Sequence, residues 1–270
     1  MLRQRDNILW HKSNALARHA LTRGWANALA DHLTINEFPK SGGGWVAQML
    51  ADALEMPFPR NRLPSLNASI LHGHLIGKVG TRRHVVVWRD GRDVAVSWFY
   101  HFVVGNNFTA SHIVEKARAA AGITGTPDPK LNFTASLREF LGHPVYPRYT
   151  WANFVDRWIG DKKAVFVRYE DMLADPVTTL IAVCRKLDHD LGSARASAIA
   201  SRYSFSVQTG RKPGEEERKN YLRKGIAGDW RNHFDRECCE MFDQAAGAQL
   251  RTLGYESDSS WVAKFARTSP

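Results

Sequence analysis

Four short strand-like runs, at 33–38, 69–74, 84–88 and 164–169, alternate with longer stretches whose apolar residues recur at helical spacing. This order predicts an α/β fold: a central parallel β-sheet flanked by helices on both faces. Trp45, Val46, Met49, Leu50, Ala53 and Leu54 place a helix between about residue 43 and Pro57. Val94, Trp98, Phe99 and Phe102 place a second, and Trp151, Phe154, Val155, Trp158 and Ile159 a third. Val177, Leu180, Ile181, Cys184 and Leu187 give a fourth, and 237–250 reads as the final helix. Pro57, Pro59 and Pro64 mark a loop. Residues 105–135 carry Gly, Pro, Asn and Thr and read as a surface insertion with a helical interlude near 112–120. The charged stretch 206–224 reads as a loop, and no internal repeat is visible.

Composition narrows the class. A 44% hydrophobic share with 11% aromatics excludes general disorder. Lys and Arg number 37 against 27 acidic residues, so the +10 charge points to an anionic partner or substrate. No apolar run approaches the about 18 residues of a membrane span. The N-terminus is interrupted by charges and lacks a signal-peptide stretch. Three cysteines, two of them adjacent, cannot build a disulfide framework, and a cytoplasmic setting is expected. Residues 1–30 read as a basic helical segment docked on the core; a membrane-surface helix making peripheral contact is the alternative.

The run Pro39-Lys40-Ser41-Gly42-Gly43-Gly44-Trp45 stands between a strand and a helix. Three glycines let the backbone turn tightly and aim N–H groups inward. The helix adds its unpaired N-terminal donors and the positive end of its dipole, and Lys40 adds a full charge. Together they make a phosphate cradle; the bland reading is a flexible turn. It is not a Walker A loop, in which lysine follows the glycines and a Ser or Thr stands next to it for magnesium.

A second anion site follows the 84–88 strand. Arg89 stands at the carboxyl end of that strand, where α/β sheets bind ligands, and Ser97 lies about two helical turns on. Asp90 with Asp93 resembles an acidic capping box. The bland reading pairs Arg89 with a local Asp, and spacing alone favours it. Arg223-Lys224-Gly225-Ile226-Ala227-Gly228-Asp229-Trp230 is a third basic piece, donor-rich and suited to phosphate, or simply a solvated loop.

Taken together, these segments resemble the PAPS-dependent sulfotransferases (donor 3′-phosphoadenosine-5′-phosphosulfate). Residues 39–45 are similar to the family's P-K-S-G-T-T-W loop. Arg89, Asp93 and Ser97 match its R-x-x-x-D-x-x-x-S segment, and 223–230 its R-K-G-x-x-G-D-W signature. Residues 168–172 look like its Y-E-D-M segment, so matches run in order from about 34 to 235. The resemblance implies one P-loop-NTPase-like domain over 31–260, followed by a tail at 261–270. It assigns the 5′-phosphosulfate to Lys40, Ser41 and the backbone of Gly42, Gly43, Gly44 and Trp45. It assigns the 3′-phosphate to Arg89, Ser97, Arg223, Lys224 and Gly225, and the adenine to Trp45, Tyr169 and Phe205. The chain departs from the pattern where Gly43 and Gly44 replace threonines, and where K-T-H becomes His72-Gly73-His74. Residues 206–222 are short for the family's dimer segment.

The implied reaction moves a sulfuryl group from PAPS to an acceptor hydroxyl, leaving PAP. Lys40 would stabilise the leaving phosphate and His74 would take the acceptor proton, with His72 and His101 as rivals. No metal is expected, because Lys and Arg neutralise the nucleotide. The acceptor would be a small molecule, a carbohydrate or a lipid; bacterial relatives of this kind often act on carbohydrates or glycolipids. An ATP-dependent P-loop kinase is the alternative enzyme. A nucleic-acid binder is the non-enzymatic one, but the basic residues are scattered and no binding motif appears, so no nucleic acid is expected. Glu215-Glu216-Glu217 reads as a solvated loop face.

Overall fold

The computed structural model describes residues 30–60 and 67–268, with four single positions between 13 and 20. The N-terminal helix expected over 1–30 therefore lies outside the described residues, as do 61–66 of the proline loop. In chain order the elements are β1 Leu33–Glu37, α1 Gly43–Ala53, β2 Ile70–Gly73, β3 Arg83–Trp88 and α2 Gly91–Trp98. Then come α3 Ser111–Ala120, α4 Pro129–Gly142, α5 Trp151–Trp158, β4 Ala164–Arg168 and α6 Tyr169–Ala174. They are followed by α7 Pro176–Lys186, α8 Ser193–Arg202, α9 Phe205–Thr209, α10 Arg236–Thr252 and α11 Ser260–Thr268. A π-helical stretch, Phe99–Gly105, prolongs α2, and a 3-10 turn spans Asp229–Asn232. The chain divides into two compact units, 1–88 with 161–212 and 89–160 with 213–270.

The first unit holds the sheet. Its order is β2-β1-β3-β4 and every pair is parallel, with Leu33 opposite both Ile70 and Arg83 and His84 opposite Ala164. The expected parallel α/β sheet is therefore present. Leu33, Ile35, Val85, Val87 and Val167 pack against α1 through Val46, Met49, Leu50 and Ala53. Leu180, Val183 and Cys184 of α7 and Ala196 and Ile199 of α8 complete that core. Each fully buried side chain of this size contributes about 1.5–3 kcal/mol. All of β1 is buried, polar residues included. Asn36 earns its place by clamping the chain after β2: Nδ2 donates to the Leu75 carbonyl at 3.0 Å, and Oδ1 accepts the Leu75 N–H at 2.8 Å.

The second unit is helical with an aromatic core that includes Trp98, Phe99, Phe140, Trp151, Phe154 and Phe242. Asp128, Thr150 and Asp235 cap α4, α5 and α10 through backbone N–H groups. Gly91 opens α2 because a Cβ there would stand 2.7 Å from the Trp151 ring and 2.8 Å from Phe242.

Several sequence expectations change here. Within residues 105–135 the expected helical interlude is α3; the start of α4 lies there too, and Val114, Ala117, Ile123 and Phe133 are buried, so this largely surface stretch is anchored by packed side chains. Residues 205–209 form α9, so the loop expected over 206–224 begins later. Helix α8 was unread, and α11 follows the expected last helix, with Trp261 buried. The three cysteines are free and buried. Among the described residues no helix is long and apolar enough to cross a membrane.

Candidate active site

The chain leaves β1 through Phe38 and Pro39 and turns sharply. Lys40 is buried and takes φ 79°, a left-handed conformation uncommon for a residue with a Cβ. Gly42 follows at φ 95°, and a Cβ there would stand 2.5 Å from the Tyr169 ring, so only glycine fits. Trp45 meets Tyr169 edge-on at 5.9 Å between ring centres, and its indole N–H donates to the Tyr203 carbonyl at 2.8 Å. Thus Lys40, Ser41, Gly42, Gly43, Gly44, Trp45 and Tyr169 come together. Phe205 stands two residues beyond the Tyr203 carbonyl in α9, under the Arg211 guanidinium at 5.0 Å.

No side chain caps α1 from the Gly42 position. Instead the Gly43 N–H donates to Glu37 Oε2 at 2.6 Å. The Trp45 N–H is engaged by the Gly42 carbonyl at 3.0 Å. Two of the four backbone donors expected to face a phosphosulfate are thus used inside the loop.

Glu37 is the residue that sequence reasoning missed. It is 1% exposed. Its Oε1 pairs with His72 Nε2 at 2.9 Å, while its backbone carbonyl lies 3.1 Å from His74 Nδ1. Burial pushes its pKa up, but the hydrogen bond and charge of His72, the charge of His74 and the Gly43 N–H outweigh this and hold it below the usual carboxylate value. A carbonyl can only accept, so His74 Nδ1 donates, and whenever the ring is neutral its lone pair lies on Nε2. By the same logic His72 donates Nε2–H to the carboxylate. The two imidazoles meet edge-on at 5.1 Å. Glu37, His72 and His74 also bring one ligand atom each within 4.8 Å of one another, a spacing that could hold a metal ion.

In the second unit, Asp90 caps α2 by accepting the Arg92 N–H at 2.9 Å. Asp93 does not complete a capping box. It accepts the Gly228 N–H at 2.6 Å and the Trp230 N–H at 2.9 Å, tying the 223–230 segment to the first turn of α2. Burial raises its pKa despite Arg89, whose Nη2 is 3.8 Å away. Arg89 Nη2 also donates to the Ile226 carbonyl at 3.3 Å. The structure therefore joins Arg89 to the Gly225 turn, with Ser97 on the same helix. Both other cations are engaged by carboxylates. Lys224 Nζ donates to Asp229 Oδ1 at 2.6 Å and Arg223 Nη2 to Asp229 Oδ2 at 2.5 Å, and Arg223 Nη1 pairs with Glu216. Glu215, Glu216 and Glu217 are exposed, as expected of a solvated loop face, and Glu216 also pairs with Arg218 and Arg223. Burial works against the Asp229 charge, but hydrogen bonds from His233, Lys224 and Arg223 hold its pKa well below the usual range.

A family model described as the sulfotransferase domain matches residues 50–254. The chain belongs to the sulfotransferase family. The curated relatives include rat sulfotransferase 2B1 (Rattus norvegicus), 23% identical over 87% of this chain and 75% of its own length. Mouse sulfotransferase 1E1 (Mus musculus) is 24% identical over 83% of this chain and 85% of its own length. Rabbit amine sulfotransferase (Oryctolagus cuniculus) is 26% identical, covering 82% and 81%. Among solved structures, mouse sulfotransferase SULT7A1 complexed with PAP superposes with a TM-score of 0.59, covering 88% of this chain and 89% of that one at 19% identity. A retinol dehydratase in complex with retinol and PAP also gives 0.59, at 17% identity over 92% and 86%. These share the fold.

The sulfotransferase match thus upholds the family and the P-loop-like α/β fold read from the motifs, and it does not favour the kinase alternative. It begins at residue 50, so the Lys40 loop and the Glu37 cluster lie ahead of it. Those residues rest on the geometry above. The signal for Glu37 is a charged residue at the end of an otherwise buried strand; Asp93, read as half of a capping box, instead joins α2 to the Gly228 and Trp230 amides beside Arg89.

Proposed function

We propose that this sulfotransferase moves a sulfuryl group from PAPS to the hydroxyl of a small-molecule acceptor. The observation that carries the reading is that one end of β1 serves both jobs. The cationic Lys40–Ser41 turn leaves it, and the Glu37 carbonyl on it holds His74 with the lone pair on Nε2. Lys40, Ser41 and the Gly42 and Gly44 amides hold the 5′-phosphosulfate. Lys40 places positive charge on the bridging oxygen as the phosphate leaves. His74 accepts the acceptor proton at Nε2 while the oxygen–sulfur bond forms. His72, whose Nε2–H goes to Glu37 and whose lone pair then lies on Nδ1, is the rival base; the match of His74 to the last position of the family's K-T-H segment favours His74. Trp45, Tyr169 and Phe205 flank the adenine.

Arg89, Ser97, Arg223, Lys224 and Gly225 hold the 3′-phosphate. That phosphate shares Arg223 with Glu216 and both cations with Asp229, so binding loosens part of the present pairing. The related structures contain retinol and androsterone, which supports an apolar alcohol as acceptor. Carbohydrate and glycolipid acceptors belong in the same screen with labelled PAPS.

Arg89→Ala tests the nucleotide assignment. Charged hydrogen bonds are worth about 1.5–3 kcal/mol, so PAP affinity should fall on the order of 10- to 100-fold. Adenosine 5′-phosphate, lacking the 3′-phosphate, should bind nearly unchanged. Equal losses for both would remove Arg89 from the 3′-phosphate. Absence of any PAP-induced rise in melting temperature of the native protein would remove the nucleotide reading itself.

A further inference from the structure

Glu37 poses a problem that neither the fold nor the motifs explain. A carboxylate in a buried strand is costly unless its charge is matched and its lone pairs are used. Here they are used on the His72 ring and the Gly43 amide, at 2.9 and 2.6 Å, while the same residue's carbonyl takes His74 at 3.1 Å. One residue therefore sets the orientation of both histidines, one through its side chain and one through its main chain.

Gly43 explains how that carboxylate fits. Its φ is not positive, so the backbone does not require glycine there. Space does: a Cβ at 43 would lie 2.7 Å from Glu37 Cδ and 3.0 Å from Cγ. Two departures from the sulfotransferase loop pattern thus become one arrangement. Glycine in place of threonine at 43 makes room for Glu37, and histidine in place of lysine at 72 gives Glu37 its partner.

We infer that Glu37 is a positioning residue for sulfuryl transfer, an inference that rests on the sulfotransferase reading. Its carboxylate locks His72 against His74 and places a fixed negative charge beside the base. In the transfer step the acceptor proton moves to His74 Nε2, the acceptor oxygen bonds to sulfur, and the bond from sulfur to the phosphate oxygen breaks. His74 then carries a positive charge, which the Glu37 charge stabilises without touching substrate. The effect is confined to the step in which that charge appears, so it falls on kcat rather than on nucleotide binding.

The test measures PAP formation from labelled PAPS, to water and to any acceptor found in the screen, alongside PAP binding and thermal unfolding. Glu37→Gln should lower kcat on the order of 10- to 100-fold, with PAP bound as tightly or more tightly. Gly43→Ala should lower kcat similarly by displacing the carboxylate. Gly43→Ala added to Glu37→Ala should cost nothing further in melting temperature, because the space is then open. Wild-type kcat in Glu37→Gln, or melting-temperature losses that add in full in the double variant, would overturn the inference. If the native protein neither binds PAP nor consumes PAPS, the sulfotransferase reading falls. The melting temperatures of the double-variant cycle would then still decide whether Glu37 fills the place of a side chain at 43.

Discussion

Lys40 combines a proposed catalytic charge with a backbone that its side chain disfavours, and the two can be separated. At φ 79° an L-residue is strained by contact between its Cβ and its own backbone, at about 1–2 kcal/mol. Alanine removes the ammonium but keeps the Cβ, so Lys40→Ala keeps the strain. Glycine removes both, at a cost of about 0.5–1 kcal/mol in lost chain entropy. The two variants lose the same charge contacts, so their difference isolates the backbone. Lys40→Gly should be more stable than Lys40→Ala by about 0.5–1 kcal/mol. In a chain of this length that is a melting-temperature difference on the order of 1–4 °C. Both should lose turnover on the order of 100- to 1000-fold, the scale of removing one charge-stabilising donor. Denaturant unfolding with a shared m value reads the first quantity, and PAP formation from PAPS reads the second. Equal stabilities, or alanine the more stable, would show that the turn is not strained. Near-normal turnover in either variant would show that Lys40 does not stabilise the leaving phosphate.

Gly42→Ala should destabilise the fold by about 1–3 kcal/mol in denaturant unfolding, because φ 95° disfavours a Cβ and that Cβ would stand 2.5 Å from the Tyr169 ring. Asp229→Asn should cost about 1.5–3 kcal/mol at pH 7, since it weakens charged hydrogen bonds to a side chain that is 2% exposed. The folded pKa of Asp229 is depressed, so its contribution is full above the unfolded carboxylate value of about 4 and is lost as pH falls through the folded value. The stability gap between wild type and Asp229→Asn should therefore narrow as urea titrations move below about pH 4; a gap that widens would contradict the assignment. Burial pushes the Cys184 and Cys238 thiols up to about 11 and Cys239 up to about 12. Iodoacetamide at pH 8 should alkylate none of them in the native protein and all three after unfolding, as read by intact mass.

The parts of this molecule that could be read from sequence are those whose physics is local. A glycine run between a strand and an amphipathic helix declares a turn with inward amides, and Lys40 in that run declares an anion. Arg89, Asp93 and the 223–230 segment could be joined only through resemblance, because Asp93 meets Gly228 and Trp230 across 135 and 137 positions. In the 105–135 stretch the helical interlude is legible and is α3, but the glycines, prolines and asparagines around it hide the start of α4 and the packing of Val114, Ala117, Ile123 and Phe133. Carboxylates were the least legible, since an acidic residue looks the same in sequence whether it faces water or a buried cation. Glu37, Asp93, Glu216 and Asp229 all stand at the two segments proposed to bind the nucleotide's anionic groups, the last two paired with Arg223. The formal charge of +10 therefore overstates how positive those segments are. A bare excess of cations would attract any polyanion through its long-range field. Arg89, Arg223 and Lys224, already matched by fixed carboxylates, favour instead an anion that meets their N–H groups in the right geometry, so the proposed 3′-phosphate recognition depends on the placement of donors more than on net charge.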